Sequence, residues 1–226
     1  PGKATTLAYF LNSMESLKIP VFSLATKHLQ LLSKDVEALV FDALFEQIRV
    51  ALKGIPYMDV WAAVTTEGAL VEHPLEYIRS IGDYLFDLPM MILSQAPGAN
   101  VGTPAADDAD DGTVSRYWVD IVVRGCVDLL LQCIEGIPRL SSSGCEQLAC
   151  DIEYLKDVLT MLSDSPYPVL EDLVKLLHCD VAELGTQLGN VQCPEKMSLY
   201  KAIRTKRSPP VAAPAAAHRR TASGAS

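Results

Sequence analysis

The chain has 226 residues, of which 49% are hydrophobic, and a formal net charge of −9 at pH 7. That length is enough to bury a sizeable core within one domain. No uncharged apolar run approaches the roughly 18 residues of a membrane-spanning helix, which argues against a transmembrane protein. The sequence begins with Pro1 and shows no secretory signal, so we expect a fragment of a longer soluble protein.

The charge is unevenly distributed along the chain. Residues 1–195 contain all 28 acidic residues but only 12 Lys and Arg, whereas residues 196–226 carry 7 Lys and Arg and no acid. Because nucleic-acid binding depends on a basic face, the acidic part argues against a nucleic-acid partner. The basic end could contact an anionic surface.

Apolar spacing predicts the first helices. Residues 5–17 form a short helix with one apolar side, which Pro20 closes because it lacks an N–H group. A second helix has apolar residues three and four apart, at Val36, Leu39, Val40, Leu44, Ile48 and Ala51. We predict Ser33 as its N-cap, with Gly54 and Pro56 marking its end.

The middle of the chain alternates connection and helix. Residues 57–73 are predicted as a connection, in which Trp61 belongs to a short helix or to a packed loop. Pro74 then opens a helix with an apolar stripe at Ile78, Ile81, Leu85 and Leu88. Pro89 is expected to bend or end this helix. Residues 96–112, rich in Pro, Gly and Asp, are predicted as a mobile acidic loop.

Two long helices follow. The first is predicted from Ser115 to Pro138, with one wide stripe at Trp118, Val122, Gly125, Cys126, Leu129, Leu130, Cys133, Ile134 and Ile137. Ser143 and Glu146 have the spacing of a capping box and predict the start of the second helix. Its apolar seam is Cys145, Leu148, Ile152, Leu155, Leu159 and Leu162.

The last part of the sequence predicts shorter helices at residues 169–177, 181–188 and 196–206. Residues 208–226 consist mainly of Ala, Pro, Ser and basic residues, and we predict a disordered tail. We find no internal repeat and no strand pattern. The fold class is therefore all-α: an elongated antiparallel helical bundle over residues 1–207 with a disordered C-terminal tail.

No catalytic or metal-binding pattern is present. The histidines are scattered, at His28, His73, His178 and His218. Nucleophile, zinc-protease and phosphate-loop motifs are missing, so we expect neither an enzyme nor a bound cofactor or metal. The aspartates at 107–111 lack the ligand spacing of a calcium loop, which favours a solvated spacer.

Six cysteines could indicate disulfides or zinc. None forms a CxxC pair or lies at ligand spacing from a histidine. Cys126 and Cys133 fall seven residues apart within the apolar stripe, as small buried hydrophobic residues do in a reducing compartment. We interpret the cysteines as structural thiols.

Three features have two interpretations each. Trp118 is a core anchor or an interface hot spot, and its position on the stripe favours the core. The seam at 145–162 packs within this bundle or docks a helix of another chain. The basic segment is a solubilising terminus, or it contacts anionic lipid as part of a peripheral lipid-binding bundle through Lys201, Arg204, Lys206 and Arg207.

Four blocks of sequence resemble a known family. They are PLEYIRSIGDYLFDLP from Pro74, WVDIVVRG from Trp118, IEGIPRLS from Ile134 and QLACDIEYLKDVL from Gln147. In this order they are similar to the C-terminal region of subunit 7 of the conserved oligomeric Golgi complex. The chain departs from the family at Cys150, where we expect a small hydroxyl residue, and in the tail beyond Arg207.

The resemblance implies the end of a rod-like, non-enzymatic subunit of a vesicle-tethering complex on the cytosolic face of Golgi membranes, active in intra-Golgi retrograde transport. The partners it implies are sister subunits and, through the complex, SNAREs, Rab proteins and coiled-coil tethers. The family offers no catalytic residue. Candidate family-motif or interaction residues are Trp118, Gln147, Asp151, Ile152, Tyr154 and Leu155.

Overall fold

A computed structural model describes residues 23–63, 73–95, 109–163 and 165–207. The α-helices in these ranges are α1 (Ser23–Leu52), α2 (Glu76–Gln95), α3 (Ala109–Gly136), α4 (Ser142–Leu162), α5 (Pro168–His178), α6 (Leu184–Gln187) and α7 (Met197–Lys206). Short 3₁₀ helices occur at Ile55–Tyr57, Asp59–Trp61 and Pro194–Lys196. The same ranges contain no strand, and the all-α prediction is confirmed.

The chain divides into two compact units, Pro1–Leu44 and Phe45–Ser226, with the division inside α1. The described part of the first unit is the N-terminal portion of α1. The second unit holds the packed core. The predicted helix at 5–17, most of the acidic loop (96–108) and the tail at 208–226 lie outside the described residues, so these predictions and the domain limits drawn from them remain predictions.

In the second unit, α2 runs antiparallel to α3, and α4 runs antiparallel to α5. The hydroxyl of Ser115, near the start of α3, donates to the carbonyl of Pro89 in the second half of α2. In the pair formed by α4 and α5, the carboxylate of Glu153 in the middle of α4 lies 3.8 Å from the imidazole of His178 at the end of α5. α7 runs along α3, since Lys196 approaches Asp128 at 3.7 Å and Lys206 reaches the carbonyl of Glu135.

The predicted stripes of α2, α3 and α4 form a large part of the core, together with buried side chains from the end of α1, from α5 and from α7. Every predicted stripe residue of α2 is buried, and so are Val122, Cys126, Leu130, Ile134 and Ile137 of the α3 stripe. The α4 seam is buried from Cys145 to Leu159, whereas Leu162 is half-buried. Each such side chain contributes about 1.5–3 kcal/mol on full burial. The seam therefore packs within this bundle.

Two helices extend beyond their predicted limits. α1 begins at Ser23, and the predicted N-cap, Ser33, lies inside the helix, where its hydroxyl donates to Glu37. α2 continues through Pro89 to Gln95. Pro89 therefore does not end the helix, because packing against α3 offsets the one backbone hydrogen bond that proline cannot donate. The other predicted outcome, a bend at Pro89, remains a prediction.

Two helix starts also differ from the prediction. α3 begins at Ala109, so the last four residues of the predicted acidic loop are helical. α4 is capped by Ser141, whose hydroxyl accepts from Gly144 N at 3.0 Å, and the capping box on Ser143 is wrong. Ser143 instead donates to the carbonyl of Ala63 at 2.8 Å. Within the predicted helix at 181–188, only residues 184–187 are α-helical.

No helix in the described ranges combines the length and the apolar character needed to cross a membrane.

Candidate functional site

A buried carboxylate on α4 joins it to the start of α2. Asp151 is only 1% exposed. Its Oδ1 accepts from the backbone N–H of Leu75 at 2.8 Å and from Gln147 Nε2 at 3.0 Å, and its Oδ2 accepts from the hydroxyl of Tyr77 at 2.8 Å. Gln147 also donates to the carbonyl of His73. We call Asp151, Gln147, Tyr77 and Leu75 N the α2–α4 clasp, which satisfies a backbone donor just before α2 begins.

The clasp holds its groups in a poorly hydrated environment. Burial raises the pKa of Asp151, and the three hydrogen bonds that it accepts oppose this shift. Burial and the adjacent negative charge of Asp151 raise the pKa of Tyr77 well above its usual value. The tyrosine is therefore a hydrogen-bond donor at neutral pH.

Tyr154, one turn after the clasp, packs against α2. A β-carbon added at Gly82 would lie 2.6 Å from the Tyr154 hydroxyl oxygen, so the two helices approach closely only because Gly82 has no side chain. Ile152 and Leu155 from the same predicted set are fully buried. Trp118 is half-buried, with its ring edge-on to Tyr117 at a centroid distance of 5.6 Å. The α4 candidates thus lie in contacts that hold helices together.

A second buried carboxylate, which the sequence did not indicate, joins α5 to the segment that leads into α7. Asp172 on α5 is 2% exposed and accepts from the N–H groups of Gln192 and Cys193 and from the Tyr200 hydroxyl, at 2.8, 3.0 and 3.1 Å. Burial, followed by the charge of Asp172, raises the pKa of Tyr200. We call Asp172 with these three donors the α5–α7 clasp. Asp172 follows Glu171 on an amphipathic helix, and nothing in the sequence distinguishes it from a surface carboxylate.

Two of the four predicted membrane-contact residues have partners inside the fold. Arg207 donates to the carbonyl oxygens of Leu176 and Cys179 and so closes the end of α5. Lys206 donates to the carbonyl of Glu135, and partial burial lowers the pKa of this lysine. Lys201 and Arg204 are exposed on α7.

The junction before α4 depends on two positions. Trp61 is 1% exposed, and its indole N–H donates to the carbonyl of Ile55 at 2.6 Å. Ser141 N donates to the carbonyl of Trp61 at 2.7 Å. A β-carbon at Gly144 would collide with that same carbonyl. Trp61 therefore belongs to the core through a short 3₁₀ helix.

The described residues bring together no group of three or more His, Cys, Asp and Glu side chains that could hold a metal ion. All six cysteines are free, and burial raises the pKa of each, to about 12 for Cys126. This agrees with the interpretation of structural thiols.

An open cavity of about 400 Å³ lies between the end of α2, the start of α3 and the end of α4. Among the described residues that line it, Arg116 is the only ionisable one, and the others are apolar residues and serines.

These features define a helical scaffold, in which buried polar groups hold helices to one another. The family model for Golgi complex component 7 matches residues 3–208. The chain is 28% identical over 204 residues to conserved oligomeric Golgi complex subunit 7 of Arabidopsis thaliana, an alignment that covers 86% of this chain and 24% of that protein. It is 28% identical over 172 residues to the Homo sapiens subunit 7, covering 65% and 22%. No solved structure matches the chain significantly.

The chain therefore belongs to the Golgi complex component 7 family, and the resemblance carried by the four sequence blocks is confirmed. It spans about a quarter of the length of the curated relatives that it matches.

Proposed function

We propose that this chain is part of a non-enzymatic subunit of a multisubunit vesicle tether on the cytosolic face of Golgi membranes. It supports intra-Golgi retrograde transport through protein–protein contacts. The observation that carries the proposal is the family match over residues 3–208. The four blocks that first indicated the family include both α2 and the Gln147 block of α4, which the α2–α4 clasp joins.

The arrangement of polar groups favours a positioning role over chemistry. The two buried carboxylates, Asp151 and Asp172, use their hydrogen-bonding capacity on backbone and tyrosine donors of neighbouring helices. Such contacts fix the spacing and register of helices, which a tether needs in order to hold partner surfaces at set distances. The partners proposed are sister subunits and, through the complex, SNAREs, Rab proteins and coiled-coil tethers.

The test uses the full-length protein expressed with a tag from its own locus. We expect it to co-purify with the sister subunits of the complex, and cells that lack it to mislocalise recycling Golgi enzymes. Re-expression of the full-length protein should restore both. Recovery of the tagged protein as a stable monomer, free of the sister subunits, would contradict the proposal.

The second candidate is a peripheral lipid-binding helical bundle that uses the basic C-terminal segment. The exposed side chains of Lys201 and Arg204 favour it. A basic residue close to an anionic membrane contributes about 1 kcal/mol, so these two alone give weak and salt-sensitive attraction. Because Lys206 and Arg207 bind carbonyl oxygens within the fold, this candidate is the weaker of the two.

A further inference from the structure

The N-terminal portion of α1 carries large apolar side chains that face solvent. Leu29, Leu32, Val36 and Leu39 are 66, 58, 49 and 69% exposed. Their spacing is three, four and three residues, and Ala25 and Ala43 continue it at either end. We call these six positions the α1 seam. From Ala25 to Ala43 the α1 seam extends along about 27 Å of helix, at about 1.5 Å per residue.

The spacing of the seam is that of the inner positions of a coiled coil. Residues that alternate three and four apart form a narrow stripe, which a second helix covers by inserting its own side chains between them. Four large apolar side chains that are about half exposed or more, all in one such stripe, form the kind of patch that marks a protein interaction site.

The charges beside the α1 seam differ on its two sides. Asp35 and Asp42 lie along one flank, and Ser33 and Val40 lie along the other. None of the flanking positions from Thr26 to Asp42 carries Lys or Arg. Lys34 is exposed and lies on the opposite face of the helix.

This charge pattern separates two kinds of occupant. The α1 seam of a second copy has no Lys or Arg at its flanking positions to face Asp35, either in a parallel pair or in an antiparallel one. A helix with basic flanking residues pairs with Asp35 in both orientations. We propose that the α1 seam binds an amphipathic helix of a partner protein that has apolar residues in heptads and Lys or Arg beside them. The inference rests on the proposed function for the existence of protein partners, and it deepens that function by naming the chemistry of one.

The probe is a pair of synthetic helical peptides of about 28 residues, four heptads, with Leu at every inner position. One has Lys at all flanking positions and the other has Glu, so that like charges keep each peptide monomeric. Fluorescence anisotropy with the 226-residue chain should give an affinity for the Lys peptide at least about 10-fold higher than for the Glu peptide, because only the Lys peptide complements Asp35.

Three variants separate the α1 seam from general attraction to an acidic protein. Replacement of both Leu32 and Leu39 by Asn should weaken binding of the Lys peptide about 10-fold or more. Asp35→Lys should weaken the Lys peptide and strengthen the Glu peptide, each about two- to five-fold. Lys34→Glu, on the opposite face, should change neither. Asp35→Lys alters only an exposed side chain and so remains informative if the double variant fails to fold.

Several results would overturn the inference. Unchanged binding after the double Asn substitution would mean that the peptide recognises bulk charge. A shift of both peptides in the same direction on Asp35→Lys would exclude charge-matched pairing. A gain of about 10-fold on deletion of residues 1–22 would mean that this segment occupies the α1 seam, and dimerisation lost on the Leu32 and Leu39 substitutions would identify a second copy as the occupant.

The same variants in the full-length protein separate this inference from the proposed function. If peptide binding fails while the sister subunits still co-purify with the wild-type protein, the α1 seam is not a charge-matched docking surface, and the tether proposal is unaffected.

Discussion

Asp151 tests whether the α2–α4 clasp works through hydrogen bonding or through charge. Asp151→Ala removes the acceptor from three donors, those of Leu75, Tyr77 and Gln147. With a net value of about 1 kcal/mol for each hydrogen bond, the loss of unfolding free energy is about 3 kcal/mol. In Asp151→Asn, the amide oxygen still accepts from Leu75 and Gln147, and the amide nitrogen donates to the Tyr77 oxygen, so we expect a change within about 1 kcal/mol.

The pH dependence of the same pair gives an independent check. Burial raises the pKa of Asp151 above its ordinary value of 3.8, so the folded chain binds this proton more tightly than the unfolded chain. Ionisation of Asp151 therefore lowers stability as the pH rises from about 3.8 to the folded-state pKa. The stability of the wild type relative to Asp151→Asn should fall over that interval and then stay level.

The assay is urea unfolding of the whole chain, followed by far-ultraviolet circular dichroism at several pH values. The exposed Asp157→Ala on α4 is the matched control and should change stability by less than about 0.5 kcal/mol. An Asn variant as unstable as the Ala variant would refute the reasoning, because it would show that the negative charge itself holds α2 in place. An Ala variant as stable as the control would show that the clasp contributes nothing.

Gly144→Ala forces a β-carbon against the backbone carbonyl of Trp61 and should lower the free energy of unfolding by about 2–4 kcal/mol. Gly185→Ala, where no atom lies within 4 Å of the added carbon, is the control and should be neutral or stabilising. Equal thermal unfolding midpoints for the two variants would contradict this. Burial raises the pKa of Cys126 to about 12, so this thiol should react with a thiol reagent at pH 8 only as fast as the chain unfolds. Mass spectrometry locates the modified cysteine, and rapid modification of Cys126 in the native protein would contradict its burial. Replacement of Lys201 and Arg204 by Glu should abolish flotation with anionic liposomes at low salt if the segment binds lipid, and unchanged flotation would remove the lipid-binding alternative.

The predictable part of the fold is the part encoded by spacing. The stripe from Ile78 to Leu88 is buried as predicted, because only one face of that helix can be removed from water. Helix ends were less predictable. Ser141 and Ser143 have the same hydroxyl chemistry, and both hydroxyls donate to the distant Ala63 carbonyl. Only the Ser141 hydroxyl also accepts from a helix N–H, that of Gly144, and spacing in the sequence did not indicate which serine would do so. A local rule offered Pro89 as a helix end, and tertiary packing carries the helix past it.

The candidate site shows the same limit. The sequence indicated Asp151 and Gln147 only as members of a family block, and their hydrogen bonds join residues 74 to 76 positions apart in the chain. Asp172 gave no signal at all, since a carboxylate on an amphipathic helix is usually at the surface. Spacing along one helix says which residues face inward. It does not say which distant donor a buried carboxylate will meet.

The α5–α7 clasp has a consequence for how the protein is made. Asp172 emerges from the ribosome before all three of its donors, which lie 20 to 28 residues further along. Until Gln192 and Cys193 have been synthesised, this carboxylate has none of its three donors, and the set is complete only with Tyr200, so α5 cannot reach its final packing against α4 before then. A message that ends before residue 192 would yield a chain with this acid permanently unpaired, which a cell would recognise and degrade as misfolded.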